Sequence, residues 1–132
     1  MTNSEIVSRI YDAFGRGDVP AILARLAPDV EWEYGEASTD VPWLRPRRGR
    51  DAVPGFFEAL ASELAISRFA VTRLLSDDDC VVALVDLDAS VRTTGRAIRE
   101  VDEVHIWFLR DGLVTRFRHR ADTHQHWRAL HG

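Results

Sequence analysis

Apolar positions along the chain change rhythm near its middle. Ile6, Ile10 and Phe14, with Ala13, recur at helical spacing, so "TNSEIVSRIYDAFGRGD" predicts a first helix. Thr2 and Glu5 fit a capping box at its start. Gly15 and Gly17 fit its end, because glycine accepts the left-handed backbone found just past a helix. Asp18 can cap a second helix, "VPAILARLA", with Pro20 in its first turn. "DVEWEYG" then alternates, with Val30, Trp32 and Tyr34 on one face and Glu31 and Glu33 on the other, as a strand does. Residues 35–50 lack periodicity and are expected to form a long loop. "RDAVPGFFEALASEL" predicts a third helix facing a core through Val53, Phe56, Phe57, Leu60 and Leu64.

From Ile66 on, the pattern is that of strands. "ISRFAVTRLL", "CVVALVDLDASVR", "AIREVDEVHIWFLR" and "LVTRFRHRA" are separated by the turns "SDDD", "TTGR" and "DG". A short helical tail, "THQHWRAL", follows. Helices gathered on one side of a mostly antiparallel sheet make an α+β domain. The 132 residues suit one domain spanning 1–132.

Composition narrows the function classes. A formal charge of −4 argues against a nucleic-acid partner, whose footprint is usually basic. No apolar stretch approaches the roughly 20 residues needed to cross a membrane. The start lacks the basic and apolar regions of a secretion signal. The single cysteine, Cys80, cannot form an internal disulfide, so a cytoplasmic location is expected. All 17 basic residues are arginine. Without lysine there is neither a Schiff base nor the lysine of a phosphate-binding P-loop. No cofactor is expected. His124 and His126 are two apart on a predicted helix and point to different faces, so they do not form a metal pair, and no metal site is expected.

"IYDAFGRGDVPAILARLAPDVEW", "GRDAVPGFF", "TGR", "HIWFLRDGLV" and "RADT", in that order, resemble the SnoaL-like and ketosteroid-isomerase-like branch of the nuclear transport factor two-like superfamily. The resemblance runs over about residues 4 to 128. It implies a cone-shaped α+β fold, in which a curved sheet wraps three helices around an apolar pocket. It implies a bacterial polyketide cyclase-like protein that pairs as a homodimer and takes a small hydrophobic ligand. The ketosteroid isomerases use an aspartate base, a tyrosine and a protonated acid. Those positions fall near Tyr34, Ile10 and His105, so none of the three residue types is retained. The aspartate that serves the SnoaL-type cyclases falls at His119, seven residues past Gly112. The Arg–x–Asp that related epoxide hydrolases carry on the long strand is missing, since "VDLD" has Asp86 and Asp88 without arginine.

His119 is therefore the leading candidate for proton transfer, because a histidine can give or take a proton near neutral pH. If it faces the pocket, Phe117 does too, while Arg118 and Arg120 face water. His105 and Trp107 share a face of the neighbouring strand. Tyr34 or His105 would polarise a carbonyl. Trp32, Trp107, Phe117, Trp43 and Asp122 are expected to contact the ligand, although Asp122 also fits a cap for the tail helix. The function expected is a cofactor-free isomerase, cyclase or hydrolase. The alternative is a non-catalytic binding or dimeric interaction module of the same fold.

Overall fold

The computed structural model describes residues 1–34 and 40–132, with Tyr34 described in its backbone only. Helix α1 (Asn3–Gly15) starts where the Thr2 side chain accepts the Glu5 amide. It buries Ile6, Val7, Ile10 and Ala13. Helix α2 (Val19–Leu23) is capped by Asp18 and has proline in its first turn. It is shorter than its apolar pattern predicts. Pro28 disfavours helical backbone at Ala27, and the chain is already in strand β1 (Leu26–Tyr34) by then.

The predicted long loop also needs correction. Its described part holds a short helical turn, Pro42–Leu44, and strand β2 (Arg47–Arg48). Val41, Trp43 and Leu44 are fully buried, so this segment plugs the core instead of lying in solvent. Helix α3 (Val53–Glu63) buries Val53 and Phe56. The meander follows as β3 (Leu64–Asp77), β4 (Cys80–Val91), β5 (Ala97–Arg110) and β6 (Leu113–Arg120). Helix α4 (Thr123–His131) ends the chain.

The strands form one open sheet in the order β2–β1–β6–β5–β4–β3. Strands β1 and β6 run parallel, and all other neighbours are antiparallel. Period-two alternation sends Val81, Ala83, Val85, Leu87, Ala89 and Val91 of β4 inward. Of these, Val81 and Val91 join the apolar faces of the helices in one cluster with Trp32, Trp107 and Phe117. No helix among the described residues is long and apolar enough to cross a membrane.

Candidate active site

Strand β5 carries the polar groups, and one extra residue decides which way they point. Val85 of β4 pairs with Glu103, but Leu87, two residues on, pairs with Glu100, three residues back. This β-bulge is closed by Asp102, whose backbone is left-handed with φ 57°. Without it, Glu100 and Glu103 would lie on opposite faces. With it, Ile98 and Glu100 before the bulge and Glu103, His105, Trp107 and Leu109 after it all face inward.

His105 and His119 are directly opposed across β5 and β6. Both are buried, as is Glu103. The His105 Nε2 lies 2.7 Å from Glu103 Oε1, and His119 Nε2 contacts the same oxygen. On its other side, His105 Nδ1 lies 2.6 Å from the Tyr11 hydroxyl. That hydroxyl accepts the Trp107 indole N–H at 3.0 Å.

Donor chemistry assigns the protons. Indole can only donate, so the Tyr11 O–H is left to donate to His105 Nδ1. His105 then carries a proton on Nε2 and donates it to Glu103. Burial alone would raise the Glu103 carboxyl, but hydrogen bonds from His105 and His119 and their positive charge hold it well below the usual carboxylate range. Burial lowers His119 to about 4, with repulsion from His105 and His126 adding to it and the bond to Glu103 opposing it. A neutral His119 withdraws its charge from Glu103 but not its hydrogen bond, so Glu103 remains an ionised acceptor of two N–H groups. Burial pushes the Tyr11 hydroxyl far above its usual value, so it stays protonated.

These groups border an apolar cavity of about 50 Å³. Trp32, Trp43, Phe56 and Phe117 also line it. Two buried atoms of its wall have no hydrogen-bond partner among the described residues: Trp32 Nε1, a donor, and Glu103 Oε2, an acceptor. Each is an unmet demand of about 1–3 kcal/mol.

A second cluster adjoins the same cavity. His126 lines it from α4 and is buried. Its Nδ1 accepts the Trp43 indole at 2.8 Å, and its Nε2 meets Glu100 Oε2 at 2.8 Å. Glu100 also accepts the Asp122 amide at 3.0 Å. His126 is thus a staple that ties α4 to β5. The spacing of His124 and His126 speaks only against a metal pair; the packing role of His126 comes from partners distant in sequence, Trp43 and Glu100.

Of the expected site residues, His105, His119, Trp32, Trp43, Trp107 and Phe117 all line the cavity. Asp122 does not; it is exposed and caps α4, its side chain accepting the Gln125 amide at 3.2 Å. Its short side chain serves the helix end instead of reaching inward. The Tyr34 backbone pairs with His119, and its side chain lies outside the described residues. Sequence reasoning missed Tyr11 and Glu103. Tyr11 is one residue past Ile10, so a tyrosine does stand beside the position where the isomerases carry theirs. Glu103 precedes His105 by two, and strand alternation alone puts both on one face.

Glu103, His105 and His119 offer three donor atoms within 4.8 Å of one another, a set of the kind that holds zinc. Both Nε2 atoms, however, touch Glu103 Oε1 directly, so the group is arranged as a proton-bridged network.

The sequence matches no curated protein. Among solved structures, an NTF2-like protein of unknown function from Burkholderia pseudomallei K96243 is 26% identical over 100% of both chains, with a TM-score of 0.89. An NTF2-like protein from Burkholderia xenovorans LB400 is 28% identical, covering 96% of this chain and 94% of the other, at 0.84. TerC, co-crystallised with polyporic acid, is 26% identical over 98% of each chain, also at 0.84. The SnoaL-like domain family matches residues 7–117, most of the chain, with the α+β cone as its fold, and the protein belongs to that family.

Proposed function

We propose that the protein is a cofactor-free acid/base enzyme acting on a small hydrophobic molecule that carries a carbonyl or hydroxyl group. The observation that carries this reading is the buried network of Glu103, His105, His119 and Tyr11 at the wall of an apolar cavity. The unpartnered Trp32 N–H and Glu103 Oε2 add one donor and one acceptor suited to such a group. TerC, a relative of the same length, was crystallised with polyporic acid, which also favours a small organic ligand.

His119 is the proton carrier. With its Nε2–H given to Glu103, its basic nitrogen is Nδ1. As it takes a proton from the substrate, the imidazolium is held by the Glu103 carboxylate, the role an aspartate plays in a hydrolytic triad. Trp32, whose indole N–H has no partner among the described residues, is the donor for the oxygen on which negative charge develops, and Tyr11 holds His105 in place. Isomerisation, cyclisation and addition of water all need only this set. The apolar outer face of the sheet, with half-buried Val82, Leu84, Ile106 and Phe108, is the surface through which two copies would pair.

The test is turnover across a panel of cyclic ketones and phenols. Replacing His119 by alanine should lower it at least ~100-fold with the fold intact. Unchanged turnover would refute the assignment.

The second reading, a non-catalytic interaction module, is favoured by the cavity's small volume. It predicts that the same panel leaves thermal stability unaltered and is never converted.

A further inference from the structure

The cavity beside the polar network is too small for the molecule it would act on. At about 50 Å³ it has a third of the ~150 Å³ that holds one benzene ring in a protein core. A polar head group fits, but a ring does not. Next to it lies a second space of about 600 Å³, a cleft between α1 and β3. That volume lies within the range of small-molecule sites, roughly 300–1,000 Å³. Tyr11, Phe14, Ile66 and Phe69 line both spaces.

The fold explains the cleft. Strand β3 is at the sheet edge and carries two bulges against β4, at Ser67 and at Thr72. Bulges bend a strand and increase its twist. The segment between them therefore curves relative to α1 instead of packing flat on it. At the junction, the Phe69 ring lies tilted against Tyr11 and Phe14, with centroids 6.0 Å and 4.9 Å away, so the wall between the two spaces is aromatic. The outer part of the cleft is different: Asp12 and Arg68 give it one charge of each sign.

We propose that the α1–β3 cleft is the main binding subsite of this protein, for an elongated ligand of at least two rings. Its hydroxyl or carbonyl end enters the small inner cavity, a ring packs against Tyr11 and Phe69 at the junction, and its polar far end meets Asp12 and Arg68. This rests on the acid/base reading above for what happens at the inner end. Specificity for length then resides in α1 and β3, away from the proton-transfer groups.

Phenol and 4-phenylphenol serve as probes in calorimetric titrations, since both bear the hydroxyl and only one has a second ring. The wild-type protein should bind 4-phenylphenol at least tenfold more tightly than phenol. Ser8→Trp fills the cleft from the helix, and Val71→Trp fills it from the strand. Each should remove that tenfold advantage and leave phenol binding and thermal unfolding unchanged. Equal affinities for the two probes, no binding of either, or no effect of both variants would overturn the subsite. Tyr11→Phe separates this idea from the one it rests on. If it leaves 4-phenylphenol binding at wild-type strength while Ser8→Trp and Val71→Trp still weaken it, the cleft stands and the inner polar site falls.

Discussion

His119 is the place where two opposing effects can be measured against each other. Burial disfavours its charged form, and the Glu103 carboxylate favours it. Burial wins, lowering the group from 6.5 to about 4. The folded protein therefore binds its proton more weakly than the unfolded chain does. Stability is full above the unfolded value of 6.5 and is lost as pH falls toward 4. Two and a half pH units correspond to about 3 kcal/mol at the acid end, with about 2 kcal/mol already lost at pH 5. For a domain of this size that is a fall in Tm of roughly 5–10 °C. Urea unfolding at pH 7, 6 and 5 measures the loss, and NMR of the imidazole nitrogens follows His119 itself. His119→Asn should flatten the curve between pH 7 and 5. A His119 ring that titrates at or above 6.5, or a variant with an unaltered slope, would show that the carboxylate outweighs burial and refute this reasoning.

Other outcomes follow from the same contacts. Glu103→Gln removes the charge from two buried hydrogen bonds, so stability should fall by about 2–3 kcal/mol in urea unfolding at pH 7. In that variant turnover should drop at least ~100-fold, measured on whichever substrate the panel identifies. Tyr11→Phe strands the Trp107 N–H and the His105 Nδ1, and should cost about 1–3 kcal/mol in the same assay. His126→Phe breaks the staple to Trp43 and Glu100. It should speed amide hydrogen exchange in α4 far more than in β4.

Much of the fold was legible because its signals are periodic. Strand alternation in "VEWEY" and "RFRHR" placed Trp32, Phe117 and His119 on the inner face. The bulge in β5 was not legible. An extra residue leaves no mark in an alternating pattern except that Ile98 and Glu100 fall out of phase, and a glutamate on the apparent solvent side invites no question. Tyr11 was passed over because it flanks the apolar stripe of α1, and the stripe predicts packing, not hydrogen bonds. The packing role of His126 was passed over for the opposite reason. A histidine two residues from another was weighed as half of a metal pair, while its partners, Trp43 and Glu100, lie far away in sequence.

The parallel pairing of β1 with β6 has a consequence for how the site comes into being. It sets Trp32 beside Phe117, 85 residues apart in the chain. Closing a loop of that length takes about 4 kcal/mol of chain entropy, against very little for the hairpin of β5 and β6. The meander that unites His105 with His119 can therefore form early, whereas Trp32 joins them only when the first third of the chain folds back. The wall of the cavity is therefore completed late in folding, when β1 reaches β6.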